Sequence, residues 1–270
     1  MRDTTARDKL LAITIVIALY FSISHARAAT VTDVEEFVKK IESPNEETRH
    51  EAFERAADMG VEAIEPLGRP LGNSDTAISK AAEIAIEKIV GRATRPGAEQ
   101  ERRAASEALL RLAQRPNPMR VRTSALKFLA LTGGSEAVSG LSQLLTDAEV
   151  CEMARWALEG IPGEIAAKAV ADAIPAAQGS FRCALIKTVG VKKYAGAISV
   201  LVNETTSTNA EVRMEAIDAL ARIGDMAAEP IIAETLANTS GRERSRAIDA
   251  YLRLADAQLL SGRDASLRMY

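Results

Sequence analysis

His50 and Glu51 stand side by side in RHEAFERAADMG, Arg49 to Gly60, the first strongly periodic stretch of the chain. An imidazole and a carboxylate at the start of a helix could both be metal ligands, but a metal centre needs several such groups converging. The sequence has two histidines in all, His25 and His50, so no second ligand set exists, and His50 is expected to be a partly buried structural residue. A histidine-based triad would have to use His50 itself as its base, and no G-x-S-x-G frame surrounds any serine. Neither G-x-G-x-x-G nor G-x-x-x-x-G-K-[ST] occurs, which removes the usual nucleotide cradles. The inventory points away from an enzyme, and no cofactor, catalytic residue or metal is expected. Cys151 and Cys183 invite a disulfide, yet one falls nine residues and the other seven before its nearest following glycine. That places them about 200° apart around a helix, so two buried thiols are the expectation.

The elements that position these residues show in a repeat. Gly60, Gly91, Gly133, Gly160, Gly190, Gly224 and the equivalent Ala255 recur at intervals suited to a repeat architecture. Seven residues before each mark stand Phe53, Ile84, Leu126, Met153, Cys183, Ile217 and Ile248, all apolar. Eleven before, five of seven are basic: Arg49, Lys80, Arg122, Arg213 and Arg244, with Glu149 and Gly179 breaking the ladder. Asn45, Asp75, Asn117, Asp147 and Asn209 precede these segments as helix N-caps, and glycine suits the position after a helix end. Each period therefore predicts two antiparallel helices, A and B. The longest interval holds a long A helix, about Ala98 to Ala113. No segment alternates with the period of a strand. A unit of this size cannot bury its own apolar faces, so the units must stack.

This pattern resembles HEAT repeats over nearly the whole chain after its first segment. The residues that carry the likeness are Pro66 and Pro230 in helix A, the cap and arginine of NAEVRMEAIDALARIG (Asn209 to Gly224), and the same frame in PMRVRTSALKFLALTG (Pro118 to Gly133). MARWALEGIP, Met153 to Pro162, is similar to a stretch of exported bacterial HEAT-repeat proteins. The resemblance implies an all-α fold, an α-solenoid in the form of a HEAT-like superhelix of about seven antiparallel helix pairs over residues 29–260, with B helices lining the concave side. HEAT-like enzymes such as deoxyhypusine hydroxylase carry His-Glu pairs in several repeats to hold two irons. Here the place of His50 is taken in the other units by Ala81, Thr123, Val150, Ser180, Met214 and Ser245. HEAT-like units also occur in phycobilisome lyases, a likeness of fold alone.

Arg2, Arg7 and Lys9 precede the uncharged run LLAITIVIALYFSI, Leu10 to Ile23, and small residues follow it. This describes a signal peptide over residues 1–28, with the run too short for a membrane span, so the mature chain is expected outside the cytoplasm, periplasmic or secreted. Residues 261–270 lack an apolar period and are expected to form a tail. Without residues 1–28 the chain has 30 basic against 35 acidic residues, a balance of −5, which argues against nucleic acid as partner.

Two candidate surfaces emerge. Slots nine, five and two before the marks are polar in the terminal units, as in Glu51, Arg55 and Asp58, and largely apolar in the central ones. If exposed, Phe128, Leu131, Leu158, Phe181 and Leu185 would grip a peptide or protein partner with Arg155 as an ionic anchor. If closed, the same side chains pack between A and B helices. The second surface is the stretch Arg92 to Lys127, with nine basic and three acidic residues. There Arg102, Arg103, Arg120 and Arg122 would seat an anionic cofactor or polymer in an accessory or lyase-like protein. The first reading makes the chain a non-catalytic exported scaffold.

Overall fold

A computed structural model describes residues 30–260. The segment expected as a signal peptide and the tail at 261–270 lie outside the described residues. The described chain is helical, without strands, and falls into seven pairs of antiparallel elements. The pairs are α1 (Val31–Ile41) with α2 (Glu46–Glu54); a broken element, Val61–Ala63 and α3 (Gly68–Leu71), with α4 (Thr76–Ala93); α5 (Glu99–Ala113) with α6 (Met119–Thr132); and α7 (Val138–Leu144) with α8 (Cys151–Gly160). They continue with α9 (Glu164–Ala173) and α10 (Gly179–Val191), α11 (Ile198–Glu204) and α12 (Ala210–Ile223), and α13 (Ala228–Asn238) and α14 (Gly241–Leu260). The larger contacts run within a pair or to the next pair: B helices α6 and α8, α10 and α12, and α12 and α14 pack on one another, as do A elements α7 and α9. One interior therefore extends along the stack, filled chiefly by Ala, Leu, Ile and Val, since small side chains let backbones approach closely.

The starts of several helices follow from local chemistry. Asn45, Asp75 and Asn209 accept backbone N–H groups of α2, α4 and α12, as their cap positions predict. Asn117 does otherwise: Pro118 precedes α6, and the Asn117 amide donates to the Arg111 and Gln114 carbonyls at the end of α5. The glycine marks prove heterogeneous. Gly224 ends α12 in the left-handed conformation, φ 79°, whereas Gly91 and Gly190 lie inside α4 and α10. Gly160 serves close packing: a Cβ there would stand 2.6 Å from the Ala130 carbonyl oxygen of α6.

Candidate docking face of the B helices

The regular feature of the B segments is a turn in which one carbonyl accepts the amide four residues later: Asn45 to Arg49, Asp75 to Ser79, Pro118 to Arg122, Asp147 to Cys151, Gln178 to Arg182 and Asn209 to Arg213. Counted from these residues, the ladder runs Arg49, Ser79, Arg122, Cys151, Arg182 and Arg213, interrupted at Cys151. Lys80 and Gly179, the expected occupant and the expected break, are off the register by one and three residues. Carbonyls at the end of an A element and in the turn after it lack intrahelical partners, and the arginines and Ser79 supply donors to them. Arg49 Nη1 donates to the Ser43 and Pro44 carbonyls at 2.7 and 2.9 Å, Arg213 Nη1 to Ser207 at 2.8 Å, and Arg182 Nε to Ala177 at 2.9 Å. Ser79 Oγ does the same for Leu71. The basic ladder is thus a clamp on the A–B turn.

Arg122 carries the clamp furthest. Its Nε donates to the Ala113 carbonyl at 3.0 Å, and its other nitrogens meet Asp147 at 2.5 Å and Glu149 at 2.8 Å in the next unit, with the residue only 2% exposed. Arg115 reaches the same two carboxylates. Arg115 above all, then the Glu149 amide and Arg122, hold the Asp147 carboxyl well below the usual carboxylate range. The expected anion seat is corrected accordingly. Arg122 is internal, and Arg102 is bound to Glu136 at 2.8 Å. Arg103 and Arg120 are exposed on separate helices without an ion pair among the described residues. Arg92, Arg95, Arg111 and Arg115 of the same stretch are also bridged to carboxylates, so most of its positive charge is already neutralised.

The expected apolar docking stripe is also corrected, because the helices are rotated relative to the frame set by the glycines. Leu158 and Leu185 are fully buried and Phe128 is 8% exposed, so all three belong to the shared interior. Phe181 is half-buried and lines a cavity of about 740 Å³ together with Leu145, Cys151 and Ala173. Arg155 is no free anchor: it donates to Glu152, Glu159 and Thr188 at 3.0, 2.7 and 2.7 Å. The Thr188 hydroxyl in turn donates to Glu159 at 2.6 Å, and Lys192 Nζ caps α8 through the Glu159 and Ile161 carbonyls. This network fastens α10 to α8. Of the expected set only Leu131 is open, at 76% exposure. The seven-back stripe is likewise mixed, since Leu126 and Ile217 are buried while Ile248 is exposed.

The open face of the B helices lies elsewhere. Nine residues beyond the turn residues Pro118, Asp147, Gln178 and Asn209 stand Lys127, Trp156, Lys187 and Asp218; thirteen beyond stand Leu131, Gly160, Val191 and Arg222. Trp156 and Val191 are 43% and 47% exposed, and Lys127 and Lys187 are exposed beside them. The packing brings these stretches of the three helices together. Gly160 presses on Ala130, next to Leu131, and Arg155, next to Trp156, bonds Thr188, next to Lys187. Trp156 is the functional candidate that the residue pattern missed; the signal was present in its shared register with two lysines.

Charge pairing divides this face. Toward one end Lys88 meets Glu54 at 2.8 Å and Arg92 meets Asp58 at 3.1 Å. Toward the other, Arg246 meets Glu211 at 2.8 Å, and Arg253 bridges to Asp218. Between them Lys127 and Lys187 have no ion pair among the described residues; the charge of Lys187 is felt by Glu215 of α12, which Arg246 bridges.

His50 is exposed rather than partly buried and sets its ring edge against Phe53, centroids 4.9 Å apart. Among the described residues no three His, Cys, Asp or Glu side chains are grouped to hold a metal. Both cysteines are free and half-buried, and burial raises each thiol above its ordinary pKa. No described helix is long and apolar enough to cross a membrane.

Residues 167–251 match the family model described as HEAT repeats. No curated protein matches. Among solved structures, human deoxyhypusine hydroxylase in complex with glycerol is similar at 17% identity, covering 73% of this chain and 97% of that one with a TM-score of 0.35. An engineered protein is similar at 24% identity over 83% of this chain and 97% of its own, TM-score 0.31. A designed armadillo repeat protein in complex with the peptide (KR)4 is similar at 21% identity over 82% and 99% of the two chains, TM-score 0.30. The described residues are all-helical, those at 167–251 match the HEAT-repeat model, and the stacked helix pairs agree with an α-solenoid.

Proposed function

We propose that this protein is a non-catalytic scaffold, exported from the cytoplasm, that binds a protein or peptide partner on the open face of its central B helices. One observation carries the reading. The face is closed by its own ion pairs toward both ends, while its middle presents Leu131, Trp156 and Val191 beside Lys127 and Lys187, which have no ion pair among the described residues. Exposed apolar groups rimmed by charge mark interaction sites, aromatic anchors supply much of the energy of interfaces, and repeat solenoids use such extended faces for binding. HEAT and armadillo-like folds commonly mediate protein binding, which supports the same choice.

The test places a photo-crosslinking residue at position 131 in the full chain, and at position 165 on α9 as an equally apolar but remote control; Ile165 is 63% exposed. Adducts with a partner should form at 131, be absent at 165, and disappear on Trp156→Ala without a change in melting temperature. Equal adducts at both positions would show that the B-helix face is not the docking surface.

A further inference from the structure

Resting on that docking reading, we propose that the occupant is an extended acidic peptide segment in which two acidic positions flank a central apolar residue, the apolar residue seated on Trp156 and the acidic ones on Lys127 and Lys187. Charge complementarity carries the choice. In a chain with more acidic than basic residues, Arg155 and Arg222 beside this patch are bridged. The lysines on either side of Trp156 are exposed and unbridged among the described residues. Of the neighbouring carboxylates, Glu152 and Glu159 share Arg155, Glu215, which feels the charge of Lys187, is bridged by Arg246, and Asp218 is held by Arg222 and Arg253. The centre of the face therefore offers two cations and an indole, and leaves anions to be supplied by the partner.

Spacing narrows the ligand further. Lys127, Trp156 and Lys187 lie on α6, α8 and α10, three successive B helices in the stack. Packed helices stand about 8–10 Å apart, so the axes of the two lysine-bearing helices α6 and α10 are about 16–20 Å apart, which sets the scale for the two ammonium groups. An extended chain rises about 3.3 Å per residue, which places the acidic positions about five or six residues apart with the apolar anchor midway. Leu131 and Val191, one helical turn further along α6 and α10, flank the anchor with apolar surface.

The chain contains a single tryptophan, Trp156, so its emission reports on this patch alone. The full protein is titrated with three synthetic peptides sharing one central Phe: one with Glu at the stated spacing, one with Gln and one with Lys in the same places. The Glu peptide should produce a saturable blue shift of emission that weakens about tenfold or more when ionic strength rises from about 0.1 M to 1 M. It should weaken about as much in Lys127→Glu/Lys187→Glu, a surface variant expected to retain the wild-type melting temperature. Equal affinity for the Gln peptide, or preference for the Lys peptide, would overturn the acidic assignment while leaving a docking face at Trp156. No shift with any peptide, or a shift that follows protein concentration alone and so reports a second copy, would overturn the peptide itself.

Discussion

Arg122 shows how much of the basic character of this chain is structural. A guanidinium that is 2% exposed survives in the interior because a carbonyl and two carboxylates satisfy its donors. Replacing it by Met removes the clamp on the α5–α6 turn and the tie to the next unit, and should cost about 3 kcal/mol, read from the midpoint of urea unfolding. The partner carboxylate gives a second signature. Because the Asp147 pKa is depressed in the folded state, chiefly by Arg115, its contribution to stability is complete above its unfolded pKa of about 3.9 and is lost as pH falls through the acid range. Asp147→Asn should therefore flatten the acid limb of the stability profile and leave its slope at neutral pH unchanged. An unaltered acid limb would mean that the bridge contributes nothing.

At the scale of the helix, two glycines that look alike in the sequence should respond oppositely to alanine. Gly160→Ala puts a methyl group 2.6 Å from the Ala130 carbonyl oxygen, forcing α6 and α8 apart at a cost of about 1–3 kcal/mol. Gly91→Ala, inside α4 with nothing within 4 Å, should gain about 0.5–1 kcal/mol from helix propensity. Denaturant midpoints of the two variants decide this. The same contrast separates the faces of the B helices: Leu158→Ala should lose about 2–5 kcal/mol as a core truncation, while Leu131→Ser should stay within about 0.5 kcal/mol. What the sequence could and could not reveal turns on this rotation. Pairs of helices were legible because caps at Asn45, Asp75 and Asn209 and a recurring apolar slot depend only on local chemistry. Faces were not, because a slip of one residue turns a helix by about 100°. Counting from glycines, which end α12 but interrupt α4 and α10, places Leu158 and Leu185 outside and passes over Trp156. Counting from the first turn residue brings Arg182 into the clamp and Trp156 into line with Lys127 and Lys187.

Across the whole molecule, stability is built from one neighbour to the next, and Leu131, Trp156 and Val191 on the open side of the central B helices stand outside the buried interior. The stacked pairs, the clamps and the Arg155–Thr188–Glu159 network hold that side in place, and its ends are neutralised by internal bridges. The candidate site was the least legible level, because it depends on which charges remain unpaired after folding, and pairs such as Arg102–Glu136 or Arg122–Asp147 join residues far apart in the chain. The central claim is that Trp156 stands on an open, positively charged surface. Collisional quenching of its fluorescence by iodide and by caesium tests this most directly: iodide should quench efficiently and clearly better than caesium, with the preference reduced in Lys127→Glu/Lys187→Glu. An indole shielded from both ions, or quenched more readily by caesium, would contradict it.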